Sequence, residues 1–106
     1  MPLRGQVGGG AAAGGVSGPA ILPVGVLATW KVSRAVQVPI VGVGGIASTE
    51  DIVQYLLAGA SLVGVGTAAL QDPRLPERLV QGLGAWCAQH GIHTLQDVVG
   101  RLEWPA

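Results

Sequence analysis

Two apolar runs, VPIVGV at 38–43 and ASLVGVG at 60–66, flank one helix-like stretch, STEDIVQYLLAG, and nothing else in the chain constrains the fold as strongly. A run that is apolar at nearly every position suits a strand buried on both faces, as in a parallel sheet. Parallel strands cannot be joined by a hairpin. They need a crossover, and the stretch between these two is of helical length. Ser48 fits an N-cap, with Asp51 three residues on as its capping-box-like partner. Glu50 and Asp51 fall in the first turn, where carboxylates suit the helix dipole. Ile52, Tyr55 and Leu56 give the apolar stripe, and Gly59 ends the helix.

The flanking sequence repeats the alternation. Leu27, Trp30 and Val36 fall at near-helical spacing, so a helix is expected from Ile21 to Val36 with Pro23 in its first turn. Pro19 fixes the backbone just before it. After the second run a polar turn, QDPRLPE, leads to a helix expected from Glu77 to His90 and stopped by Gly91. A last short helix beginning near Thr94 carries Leu95, Val98, Val99 and Leu102, and Trp104 packs the tail. Helix, strand, helix, strand, helix with short links is α/β architecture with parallel strands near 38–43 and 61–65. Residues 1–13 have no hydrophobic period and a Gly/Ala composition, which reads as loop or disordered chain. At 106 residues the chain is the size of one domain with a single core.

Composition limits the partners. Six basic residues balance six acidic ones, which leaves no electrostatic footprint for nucleic acid. Charged residues are only 11% of the chain, against about 25% in ordinary globular domains. So little charge cannot cover a free surface, and the chain either associates through apolar faces, as a homo-oligomer would, or is a portion of a larger fold. No signal-peptide pattern opens the chain, and its longest weakly polar stretch, GPAILPVGVLATW, is too short for a membrane span. The expectation is a cytoplasmic protein with no membrane contact. Cys87 is the single cysteine, so no disulfide or cysteine metal cluster is expected, and its spacing from Leu79 and Leu83 suits a buried thiol on a helix.

Both strands end in bare backbone: Gly44-Gly45 after the first and Gly66-Thr67 after the second, 22 residues apart. In parallel α/β folds, ligand phosphates bind at the carboxyl ends of strands, where amides and helix dipoles favour an anion. Glycine lets phosphate oxygens reach those amides, and the Thr67 hydroxyl adds a donor. In (β/α)8 barrels the last two strands commonly build such a site. The same glycines could also serve only to make tight turns. Two such loops on successive strands, with a third at GGVSGP, favour phosphate.

The segments GGVSGPAILPV, PIVGVGGIASTEDIVQYLLAGASLVGVGTA and LVQGLGAWCAQHGI, in that order and spacing, resemble the C-terminal part of class 1 dihydroorotate dehydrogenases from about Gly14 to Ile92. The resemblance implies a flavin-dependent (β/α)8 TIM barrel that oxidises dihydroorotate to orotate in pyrimidine biosynthesis, with flavin mononucleotide (FMN) as cofactor. It implies a backbone contact to FMN at Gly18 and phosphate binding by Gly44, Gly45, Gly66 and Thr67. The membrane-attached class 2 enzymes carry a tyrosine before the matching threonine, where this chain has VGT, so class 1 is the better match. Class 1 enzymes pass electrons to fumarate, or to NAD through a partner subunit carrying FAD and an iron–sulfur cluster.

Several parts of that family's chemistry are missing. The catalytic base, a cysteine or serine on an earlier loop, has no counterpart, and Cys87 on the late helix is not one. The chain has no asparagine to grip orotate. Its one lysine, Lys31, belongs to a solvated helix face, and His90 and His93 read as capping or surface residues. The chain is thus expected to carry the FMN-phosphate part alone and to be inactive by itself. In a full-length parent, Gly45→Glu is expected to abolish flavin retention, through a carboxylate at the phosphate position, while leaving the protein folded. Two alternatives are another flavin barrel, such as a dihydropyrimidine dehydrogenase, and a non-catalytic phosphate-binding or interaction module.

Overall fold

A computed structural model describes residues 15–102. The expectations for residues 1–13 and for Trp104 lie outside the described residues.

Strand β1, Val41–Val43, and strand β2, Leu62–Gly64, pair in parallel, with Val41 opposite Leu62, Gly42 opposite Val63 and Val43 opposite Gly64. Helix α2, Thr49–Ala58, makes the crossover. The regular ladder is shorter than the apolar runs. Pro39 has no N–H to give a ladder, and it precedes the pairing.

Capping chemistry sets the ends of α2. The Ser48 hydroxyl accepts from the Asp51 amide at 3.3 Å, and Asp51 Oδ2 accepts from the Ser48 amide at 3.0 Å, so the box closes from both sides. Asp51 Oδ2 also takes the Ala47 amide at 2.9 Å. Gly59 ends the helix at φ +127°, where only glycine sits without strain. The Gly100 amide reaches the Leu56 carbonyl and the Leu102 amide the Leu57 carbonyl, each at 2.9 Å. The chain's end thus satisfies carbonyls of the last turn of α2.

Helix α1, Leu22–Ala35, follows a short 3₁₀ turn over Pro19–Ile21, with Pro23 in its first turn. Its buried face differs from the expected stripe. Val26 and Thr29 are buried and Leu22 and Trp30 pack against the core, whereas Leu27 is 39% exposed and Val36 40%. Val36 has left the helix for extended backbone, so it no longer belongs to a helical face.

After β2 a five-residue helix not anticipated from sequence, α3 (Thr67–Gln71), precedes α4, Leu75–Gln89. Helix α4 starts two residues earlier than expected, because Pro76 occupies its first turn. The expected helix near Thr94 is a single 3₁₀ turn, Leu95–Asp97. Cys87 is half-buried on α4, and His90 caps that helix, its Nδ1 2.9 Å from the Trp86 carbonyl. Lys31 and His93 are exposed.

The core lies between α1, α2 and α4, with Tyr55 fully buried among Ile46, Ile52, Leu56 and Leu79. Burial of the strands on both faces is not observed. Gly42 is buried, but Val41, Val43 and Leu62 are 57%, 61% and 66% exposed. Side chains alternate across a strand, and the described helices cover one face of the two-stranded sheet only. The other face is left apolar and open.

Candidate functional site

The carboxyl ends of β1 and β2 open into a cavity of about 400 Å³, and Gly18, Gly44, Gly45, Gly66 and Thr67 all line it. They come from three separate loops. Gly18 precedes the 3₁₀ turn at φ +91°, with its carbonyl accepting from the Ile21 amide at 3.2 Å. Gly44 and Gly45 follow β1 at φ +128° and +74°, left-handed conformations that favour glycine. Gly66 is the N-cap of α3 and Thr67 its first residue.

Gly45 is where the backbones come closest. A Cβ there would stand 2.7 Å from the Leu22 nitrogen and 3.0 Å from the Gly18 carbonyl oxygen. Both contacts are to backbone, which cannot swing away. This corrects the expectation for a carboxylate at Gly45, since the first carbon of any side chain meets the start of α1 before a carboxylate could reach the cavity. Gly66 is the opposite case. Its φ is −114°, and a Cβ there would meet nothing within 4 Å.

No lining residue carries a charge. The Ala47 and Ser48 amides at the start of α2 are already held by Asp51, so they are not available to a ligand. Donors for an anion must therefore come from other peptides of the glycine loops and from hydroxyl or amide side chains, of which Ser17, Thr67 and Gln71 line the cavity.

Sequence reasoning took Tyr55 for a core residue and missed its hydroxyl, which donates to the Gly44 carbonyl at 2.6 Å. The ring occupies a slot made by two more glycines. A Cβ at Gly25 in α1 would lie 2.1 Å from the phenol oxygen, and one at Gly42 in β1 would lie 2.4 Å from the ring. A glycine inside a helix and another inside a strand each weaken their element, and that was the signal for a bulky neighbour. Burial, and after it the charge of Asp51, raise the Tyr55 phenol above its ordinary value of 10.0, so it stays a donor at neutral pH.

No helix among the described residues is long and apolar enough to cross a membrane.

The family model described as dihydroorotate dehydrogenase matches residues 4–86. The catalytic subunit of dihydroorotate dehydrogenase B (NAD(+)) from Pelobacter propionicus is 50% identical over 90 residues, which are 85% of this chain and 30% of that protein. A putative dihydroorotate dehydrogenase A (fumarate) from Solibacter usitatus is 46% identical over 95 residues, 90% of this chain and 31% of that one. The ligand-free DHODH crystal structure from Eimeria tenella superposes with a TM-score of 0.80 at 29% identity, over 87% of this chain and 26% of its own. The chain thus spans about 30% of the length of the curated relatives it matches. With parallel β/α units that superpose on a portion of such an enzyme's barrel, and with relatives of the class 1 kind, the chain belongs to the dihydroorotate dehydrogenase family.

Proposed function

We propose that this chain forms the part of an FMN-dependent dihydroorotate dehydrogenase that holds the cofactor's phosphate. The observation that carries this reading is the convergence of Gly18, Gly44, Gly45, Gly66 and Thr67, from three loops, on one cavity at the carboxyl ends of two parallel strands. Missing side chains at four of the five positions leave room for phosphate oxygens to approach peptide groups. The fit is that of a neutral cradle. The anion would be held by peptide N–H groups and by the Thr67 hydroxyl, with no acidic side chain lining the cavity to repel it.

When bound, FMN supplies the hydride acceptor for oxidation of dihydroorotate to orotate in pyrimidine synthesis. The residues of this chain bind and orient the phosphate end. Proton abstraction from the substrate needs a base within hydrogen-bond reach, and Cys87 on α4 does not line the cavity. The base and the orotate-binding asparagines are not supplied by this chain, so the chain alone binds cofactor without turning over. Relatives such as the Pelobacter propionicus protein are named as catalytic subunits, which supports a complex with a second subunit, and for that subunit the reading takes one carrying FAD and an iron–sulfur cluster, in the cytoplasm. The low charge of the surface supports self-association as well.

The reading is tested by titrating the 106-residue chain with FMN and with riboflavin, which lacks the phosphate. FMN is expected to bind at least tenfold more tightly, the effect of roughly one charge-assisted hydrogen bond. Equal affinities would leave the cavity without a phosphate site. In that event the open face of Val41, Val43 and Leu62 would favour the second reading, an interaction module that docks protein rather than nucleotide.

A further inference from the structure

We infer that the Tyr55 hydroxyl is a positioning residue for phosphate recognition, because it fixes the Gly44–Gly45 peptide with its N–H turned away from the core. The inference rests on the phosphate reading above and adds to it the group that sets the cradle's geometry.

One peptide bond links the core to the loop. Among the described residues every peptide is trans, so the carbonyl of Gly44 and the N–H of Gly45 point in opposite directions from the same plane. The carbonyl is held at 2.6 Å by the hydroxyl of Tyr55, a fully buried residue, in a bond that is itself part-buried. The Gly45 N–H must therefore point to the other side of the loop, and both glycines line the cavity. On the cavity side that N–H would be a donor suited to an anion, whereas the same peptide turned over would present its carbonyl oxygen there and repel one.

That peptide needs holding. It is flanked by two glycines at φ +128° and +74°, and with no Cβ on either side more backbone conformations are open to it than to other residues. The neighbouring donors cannot substitute for it, since the Ala47 and Ser48 amides are tied to Asp51. Tyr55 itself has no such freedom. Its ring is clamped where Gly25 and Gly42 leave space for it, with would-be Cβ atoms only 2.1 and 2.4 Å away. A rigid phenol thus anchors a permissive peptide. Phenylalanine would fill the same slot and leave the carbonyl without its partner.

The test is Tyr55→Phe in the full 106-residue chain, read by three measurements. Thermal unfolding by circular dichroism establishes that the variant folds. FMN affinity is expected to fall about fivefold to tenfold, the size of one net hydrogen bond, while riboflavin affinity stays within about twofold. Hydrogen exchange at the Gly45 amide, followed by NMR in the ligand-free chain, is expected to change while exchange inside α2 does not. A parallel loss of FMN and riboflavin affinity, or a variant that unfolds, would make the hydroxyl merely structural and overturn the proposal. A wild-type chain with no preference for FMN would remove the phosphate reading. Altered Gly45 exchange in Tyr55→Phe would then still support Tyr55 as the anchor of the loop, and unaltered exchange would overturn it.

Discussion

The Tyr55 hydroxyl and the Gly44 carbonyl, eleven residues apart, are joined at 2.6 Å, so the middle of the crossover helix holds the loop at its own entrance. The loop that lines the cavity and the core that stabilises the chain therefore share one hydrogen bond.

Burial of the Tyr55 phenol makes stability depend on alkaline pH. The folded phenol is raised above 10.0 by burial and by Asp51, so the native state keeps its proton after the unfolded state has lost it. The contribution is fully present below pH 10 and is lost as pH rises through the folded value. Tyr55 is the chain's only tyrosine, so the midpoint of urea unfolding should fall above pH 10, and Tyr55→Phe should remove that part of the slope. Identical profiles for the two proteins would count against the assignment.

Gly45→Ala and Gly66→Asp should separate fold from binding. The Gly45 change forces a Cβ against the Leu22 nitrogen at φ +74°, and a loss of about 2 kcal/mol or more of stability is expected. The Gly66 change meets open space, so the melting temperature should stay near wild type while FMN affinity drops at least tenfold through charge repulsion. Wild-type FMN affinity in a folded Gly66→Asp variant would place the phosphate elsewhere.

Ser48→Ala removes one half of the capping box and should cost about 1 kcal/mol, measured by chemical denaturation. It also leaves Asp51 with its two amides at Ala47 and Ser48, so FMN affinity should change little. A large loss of affinity would show that this end of α2 contributes donors directly.

The chain alone should not oxidise dihydroorotate. A positioned base contributes roughly 10²–10⁴-fold, and orientation of the flavin ring several kcal/mol more. Five backbone-rich positions lining one cavity supply neither. Mixing the chain with FMN and dihydroorotate without oxygen should leave the flavin absorbance unbleached, and bleaching would mean that a catalytic group on this chain has been overlooked.

The βαβ unit is legible in local sequence signals. Ser48, Asp51 and Gly59 set the ends of α2 through local backbone hydrogen bonds, and Gly44-Gly45 and Gly66-Thr67 marked two strand ends through the cost of bare backbone. These signals act over a few residues, so they survive without knowledge of the fold. Which face each element buries, and what Gly25, Gly42 and Gly45 make room for, follows from tertiary packing. Uniformly apolar strands look buried on both sides, yet Val41, Val43 and Leu62 are open because no described element covers them. Gly45 reads as a phosphate contact in sequence, but its closest constraint is the start of α1, which the chain reaches 23 residues earlier. Tyr55 reads as one more apolar position on a helical stripe. Its hydroxyl reaches the Gly44 carbonyl because Gly25 and Gly42, one from a helix and one from a strand, leave a slot for the ring. Contacts between distant segments depend on backbone paths that no local pattern encodes, and the cavity is made of such contacts.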